Sequence, residues 1–269
     1  MFNRSTKEKK EKMRREGNKI ELYNEDCIKT MERISDESID LILQDPPYGT
    51  TAIHWDKAPD FNIMWKHWLR IIKPNGAIIM TASQPFTTDV INSKRDLFRY
   101  ELIWEKSKCG SHQLANKMPL KQHENILVFY KKLPTYNPQK TKAPEYLIDK
   151  RKTFTNQEIK NGMKHMSSGI LIQRKDDGWR FPVSILKFNN SDRTDRIHPT
   201  EKPVDLLRWI IKTFTNEGEI VFDGYSGSGS CAIACELENR NFIGAELNTE
   251  YYIKSLKRIE NEVSQTKLF

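Results

Sequence analysis

From residue 20 onward the apolar positions alternate between short runs of strand length and stripes at helical spacing. Residues 19–23 suit a short strand and Cys27 to Ile34 a helix. The run Ile39-Asp40-Leu41-Ile42-Leu43-Gln44 has the length of a buried strand. Met64, Trp65, Trp68, Leu69 and Ile72 mark one face of a helix over residues 61–72, which Lys73-Pro74-Asn75-Gly76 ends before a strand at 77–81. Further strand patterns occupy 100–104 and 125–130. Periodicity fades between 131 and 196, where Pro, Asn, Lys and aromatic residues are frequent. It returns as a helix at 203–214, a strand at 219–222, a glycine-rich turn, a helix at 230–238, a strand at 241–245 and a helix at 250–263. Strands alternating with helices predict an α/β fold built on a doubly wound, mostly parallel sheet. The predicted organisation is a charged arm (1–18), one body (19–130 and 197–269) and an insertion (131–196), with no internal repeat.

Charge changes this picture at the insertion. Residues 131–196 hold 15 Lys+Arg against 7 Asp+Glu, which accounts for the whole net charge of +8, because the remainder balances at 29 against 29. Such a segment suits phosphate neutralisation, although a merely solubilising basic surface satisfies the same count. The other totals are ordinary: 37% hydrophobic and 30% charged residues describe a chain that folds. No apolar run approaches the roughly 18–20 residues of a membrane span, and the first 16 residues are charged, so a cytoplasmic protein is expected. Arg4 to Glu16 mixes both signs without an apolar face and reads as a solvated arm. Cys27, Cys109, Cys231 and Cys235 form no Cys-x-x-Cys pair and no Cys/His cluster, so free thiols and no metal are expected.

Two constellations carry chemistry. Phe222-Asp223-Gly224-Tyr225-Ser226-Gly227-Ser228-Gly229-Ser230 joins a strand to a helix, and the next strand ends at Glu246. At the carboxyl edge of an open sheet, glycines admit a ligand close to the backbone and an acidic residue accepts ribose hydroxyls, which suits a nucleoside-containing cofactor. A dinucleotide site stays open here, since Ala232 can stand for the third glycine of that motif. Asp45-Pro46-Pro47-Tyr48 ends the buried strand. Its carboxylate and the Pro46 carbonyl can accept the two hydrogens of an exocyclic amino group, and Tyr48 can stack on a base taken out of the duplex. The bland alternative is a Pro-Pro turn with an acidic cap.

Together these motifs resemble the β-class amino-methyltransferases of DNA modification. The Asp45-to-Tyr48 motif comes first, then the basic region, then His198-Pro199-Thr200-Glu201-Lys202-Pro203, then the glycine turn. The resemblance covers about residues 20–259, including Gly49-Thr50-Thr51 and His123-Glu124-Asn125-Ile126-Leu127-Val128-Phe129-Tyr130. It implies a Rossmann-like S-adenosylmethionine-dependent fold with an inserted target-recognition region. Asp45, Pro46, Pro47 and Tyr48 would be catalytic. Asp26, Cys27 and Ile28 would contact the cofactor's adenine; Tyr225, Gly227 and Gly229 would line its methionine side; Glu246 would hold its ribose; and Asp45, Asp223 and Ser226 would also bind it. Thr200 and Lys202 would close the pocket from below, and Arg174, Lys175 and Arg180 would touch DNA. One departure is Asp223-Gly224-Tyr225 where members often carry Asp-Pro-Phe.

The implied reaction transfers a methyl group to adenine N6 in double-stranded DNA. Cytosine N4 shares the acceptor logic, but Ser is commoner at the first catalytic position there. Cytosine C5 chemistry needs a cysteine nucleophile, commonly after a proline, and none of the four cysteines follows one. An inactive DNA-binding module and an RNA or protein substrate are the remaining readings. His54, His123 and His198 are assigned structural roles, Trp55 a pocket or core position, and Cys231 and Cys235 packing. Any restriction endonuclease partner is expected to be a separate protein; action with or without one, and monomer or homodimer, stay open.

Overall fold

The computed structural model describes residues 19–49, 57–110, 112–145, 177–190 and 201–266. The main unit comprises residues up to Asn137 and from Ser184. Its chain runs β1 (Ile20–Tyr23), α1 (Cys27–Glu32), β2 (Ile39–Gln44), α2 (Phe61–Ile71), β3 (Ile72–Ala82), α3 (Phe86–Ser93), β4 (Phe98–Gly110) and β5 (Lys121–Phe129). The second unit, Pro138–Val183, supplies β6 (Thr141–Lys142) and β7 (Trp179–Arg180). The main unit resumes with β8 (Ile185–Phe188), α4 (Val204–Phe214), β9 (Ile220–Asp223), α5 (Ser230–Leu237), β10 (Asn241–Ala245) and α6 (Thr249–Thr266).

Eight strands form one sheet in the order β1-β10-β9-β2-β3-β5-β4-β8. Only β5 runs against its neighbours, pairing antiparallel with both β3 and β4. Every residue of β2 is buried, as a strand covered on both faces requires. Side-chain alternation divides the core. Leu41, Leu43, Ile79, Val128 and Val221 face α4, α5 and α6 with Ile210, Phe214, Ile233 and Ile259. Ile42, Ile78, Met80, Leu127 and Phe222 face α1, α2 and α3 with Met31, Trp68, Phe86 and Val90. Helix starts follow local chemistry: Asp26 and Asp60 cap α1 and α2 by accepting the N–H two residues on, at 2.8 and 2.9 Å.

In the main unit α3 and β8 were not expected from the sequence, and in the second unit β6 and β7 were not. β8 adds to the sheet edge along Ile103–Lys106 of β4, and Asn137 N–H donates to Thr213 O at 2.8 Å, so residues 131–137 and 184–190 belong to the main unit instead of the insertion. Lys73-Pro74-Asn75-Gly76 does not interrupt the chain direction but forms the first part of β3. In the second unit the described residues make a two-stranded antiparallel ribbon, with the Lys140 ammonium 4.3 Å from the centre of the Phe181 ring. The charged arm, residues 146–176, His54, Trp55, His198 and Thr200 lie outside the described residues. No helix among the described residues is long and apolar enough to cross a membrane.

Candidate active site

Sheet order creates the site. From β2 the chain proceeds to β3 on one side, and from β9 to β10 on the other, so β2 and β9 are adjacent strands whose following turns diverge. Such a switch point opens a crevice at the carboxyl edge of the sheet. A cavity of about 950 Å³ lies there, lined by both motifs.

Gln44, missed in the sequence, ties the two turns together. Its buried amide donates to Phe222 O at 3.2 Å and accepts the Gly224 N–H at 3.2 Å. A proline at 224 would lack that N–H, and a Cβ there would sit 2.9 Å from Cys27 Cβ and 3.0 Å from Gln44 Oε1. Glycine at this departure from the family pattern is therefore matched by a polar strand end on β2.

On the β9 side, the Glu246 carboxylate is aimed by two backbone donors, Gly227 N–H and Asn248 N–H, each at 2.8 Å. Burial raises its pKa. Ser226 Oγ is buried without a hydrogen-bond partner. Asp223 is buried, and burial pushes its carboxyl up to about 7, against the N–H that Tyr225 donates to it at 2.9 Å. Burial likewise lifts the Cys27 thiol to about 12 and raises its neighbour Tyr225, so both stay neutral. Gly229 does not line the cavity. It starts α5 in the left-handed conformation at φ +79°, and a Cβ there would press on Ser255 at 3.1 Å.

On the β2 side, Asp45 is the centre of a dense network. Lys202 Nζ lies 2.7 Å from each carboxylate oxygen. The Thr81 hydroxyl donates to Oδ1, and the Tyr48 hydroxyl lies 3.2 Å from the same atom. Tyr48 stacks on Phe86 with centroids 4.9 Å apart, and burial keeps it a neutral phenol by raising its pKa well above 10.0. Lys202 Nζ is also 3.5 Å from Glu124 Oε2, and Glu124 is paired in turn with Lys106. Burial alone would lower the Lys202 pKa, but the carboxylates of Asp45 and Glu124 hold it well above the usual lysine value. Burial would raise Glu124, but Lys202 and Lys106 hold it below the usual carboxylate value.

Asp26, Cys27, Ile28, Asp45, Pro46, Pro47, Tyr48, Lys202, Asp223, Tyr225, Ser226, Gly227 and Glu246 are thus brought together on one cavity. Asp26 spends one oxygen on capping α1. Lys202 meets Asp45 directly. Thr81 and Glu124 were missed, since only the fold brings strands β3 and β5 to Asp45. His123 is exposed on β5 and does not line the cavity. The four cysteines are free thiols. Arg180 lies on β7 of the second unit, while Arg174, Lys175 and Thr200 lie outside the described residues.

The cavity's acceptor set fits a nucleoside cofactor bearing a cation. Asp26 and Glu246 line the cavity as carboxylate acceptors for hydroxyl and amino groups, Ser226 Oγ is buried without a partner, and Asp45 adds negative charge, with the Asp223 carboxyl, which ionises only near 7, beside the glycine turn. Among the described residues no cluster of metal-ligating side chains occurs.

The chain resembles known proteins over nearly its whole length. It is 28% identical to the type II methyltransferase M.HpaI of Haemophilus parainfluenzae, covering 88% of this chain and 73% of that one. Against the type II methyltransferase M1.MboII of Moraxella bovis it is 28% identical over 88% of this chain and 94% of the relative. Among solved structures, the PvuII DNA methyltransferase (cytosine-N4-specific) superposes with a TM-score of 0.64 at 16% identity, covering 93% and 92% of the two chains. The M1.HpyAVI–SAM complex gives 0.59 at 20% identity, covering 89% and 98%. The profile of the N6/N4 methyltransferase family, described as DNA methylase, matches residues 39–257, and the chain belongs to that DNA methylase family.

Proposed function

We propose that this chain transfers a methyl group from S-adenosylmethionine to the exocyclic N6 amino group of adenine in duplex DNA. The observation that carries the reading is Asp45: an aspartate, where serine is commoner in cytosine-N4 enzymes, held by Thr81, Tyr48 and Lys202 at the mouth of a nucleoside-sized cavity.

S-adenosylmethionine supplies an electrophilic methyl group when bound. Glu246, Asp26 and the 225–227 turn would hold it, and the Asp45 carboxylate, together with Asp223 once ionised, would favour its positive charge. The chain's own work is done at the amino group. Asp45 and the Pro46 carbonyl accept its two hydrogens, which fixes its orientation and aims the lone pair out of the ring plane. As positive charge develops on nitrogen, the fixed Asp45 carboxylate stabilises it without reorganising. Asp45 then takes the departing proton, so no stronger base is needed. Tyr48 gives the extruded base a flat apolar surface.

Recognition of the sequence around the target falls to the inserted region, with Arg180, Arg174 and Lys175 as its DNA-contacting residues. Any endonuclease that acts beside it would be a separate protein.

Incubating the protein with unmethylated genomic DNA and labelled donor, followed by nucleoside mass spectrometry, tests the reading. N6-methyladenine in a fixed context is expected, and N4-methylcytosine would move the target base while keeping the acceptor pair. Asp45→Ala should lower turnover at least ~10³-fold with donor affinity retained; a fully active variant sinks the assignment.

A further inference from the structure

Basic residues also cluster outside residues 131–196, in the arm at residues 4–16 and again ahead of β5. From Lys106 to His123 the chain has four lysines, two histidines and no acidic residue. These residues span the hairpin between β4 and β5, of which Ser111 alone lies outside the described residues.

The hairpin is built into the site. Because β5 is antiparallel to both β3 and β4, β4 runs parallel to β2 and β3, and the hairpin leaves the sheet at the carboxyl edge that carries Asp45. Its root forms part of the cavity wall: Lys106 pairs with Glu124, and the Lys121 ammonium donates to Ser83 Oγ, and both partners line the cavity. The root is also braced from outside. β8 pairs with β4 as far as Lys106, and Asn190 N–H donates to Ser107 Oγ at 3.1 Å while Asn190 Oδ1 accepts the Lys108 N–H at 3.3 Å. Beyond this root residues 112–119 are all exposed, including two large apolar side chains, Leu114 at 38% and Met118 at 54%.

Two features of that tip point to one kind of partner. Lysines without intervening acids match a phosphate backbone and repel other basic surfaces. Exposed apolar side chains on a basic finger are what proteins use to cover bases where the stack is opened. We propose that the β4–β5 hairpin is a second duplex-DNA contact, apart from the inserted region. Lys108 and Lys117 lie on phosphates beside the target nucleotide, and Leu114 and Met118 cover the bases it leaves behind. The braced root keeps this finger in fixed register with Asp45, so backbone contact and base delivery are coupled. The proposal rests on DNA being the substrate.

The test uses the full chain and a Lys108→Gln/Lys117→Gln variant. Binding to a duplex oligonucleotide that the wild type methylates is followed by anisotropy across salt. Each phosphate contact contributes about 0.9 to the log–log salt slope, so two lost contacts should leave the wild type losing about tenfold more affinity than the variant between about 50 and about 200 mM salt. Donor affinity, measured by calorimetry on the same samples, should be unchanged. With 2-aminopurine at the target position, Leu114→Ser/Met118→Ser should cut the fluorescence rise on binding several-fold while donor affinity holds. Equal salt slopes for wild type and lysine variant overturn the proposal, as does a slope change seen with single-stranded RNA and not with duplex DNA. A wild type that methylates DNA beside an indistinguishable hairpin variant removes the hairpin's role alone; a wild type that transfers no methyl group to DNA removes the substrate reading itself.

Discussion

Replacing Lys202 with methionine keeps the side-chain volume and deletes the ammonium that lies 2.7 Å from both Asp45 oxygens and 3.5 Å from Glu124 Oε2. Removing one member of a buried ion pair leaves an uncompensated carboxylate and costs about 3–5 kcal/mol. Lys106 still faces Glu124, and Asp45 is 28% exposed to screening water, so the lower end applies here. A loss of about 3 kcal/mol lowers the thermal midpoint of a chain this size by roughly 6–12 °C. The pH dependence follows from the raised Lys202 pKa. Its contribution is complete below the unfolded value of 10.5 and is lost only as pH rises through the higher folded value, so the deficit should be constant from about pH 6 to about pH 9. Glu124→Gln combined with Lys202→Met supplies the discriminating measurement. The double variant should be less destabilised than the sum of the singles by about 1–3 kcal/mol, because neutralising Glu124 relieves part of what the lost ammonium leaves behind. Thermal unfolding reads the energies, and single-turnover methylation reads the looser Asp45. Single effects that add within about 0.5 kcal/mol, or an unchanged midpoint, would refute the idea that this network holds the site.

Asp223 predicts an opposite sign. Its carboxyl ionises near 3.8 in the unfolded chain and near 7 when buried, so the folded state holds a proton the unfolded state has released. Stability should fall as pH rises through that window by roughly 4 kcal/mol, at about 1.4 kcal/mol per pH unit, and Asp223→Asn should flatten the slope in urea titrations at several pH values. Because a cationic donor favours the ionised form, donor affinity should rise relative to that of the neutral product from about pH 6 to about pH 8, a trend that calorimetry on Asp223→Asn should not show. Gly224→Ala places a methyl group 2.9 Å from Cys27 Cβ. Overpacking of about 1–3 kcal/mol should weaken donor binding by roughly 5- to 150-fold if it falls wholly on the bound state, and an unaltered titration would mean the turn has room to spare.

The residues that announce chemistry locally were legible in the sequence. Asp45 to Tyr48 and the glycine turn stand at the ends of apolar runs, and those runs are strands because two helical layers cover them. What escaped were features that exist only across the sheet. β8 buries one side chain in four residues and is a strand because β4 offers it an edge. α3 follows Pro85 with Thr87, Thr88, Val90 and Ile91, weak helix formers that the Phe86 and Val90 contacts stabilise in place. Gln44 closes a run of apolar residues and resembles an ordinary strand end until β9 is placed beside it. Lys202, read as part of the cofactor floor, gains its meaning from Asp45, which is 157 residues away in the chain.

The pairing of β1 with β10 has a consequence for the life of the molecule before it is finished. Ile20 to Tyr23 find their partners in Phe242 to Ala245, and Glu246 N–H donates to Tyr23 O at 2.9 Å. On a ribosome adding about 5–20 residues per second, the first strand waits roughly 10–45 s for the last. Until then Asp45 and its turn can exist, but Glu246 is missing and the segment after β1 has no neighbour to hold it. Under the proposed function, a nascent or prematurely terminated chain therefore carries Asp45 without the Glu246 that would seat the donor, and only a chain extended past β10 can mark DNA.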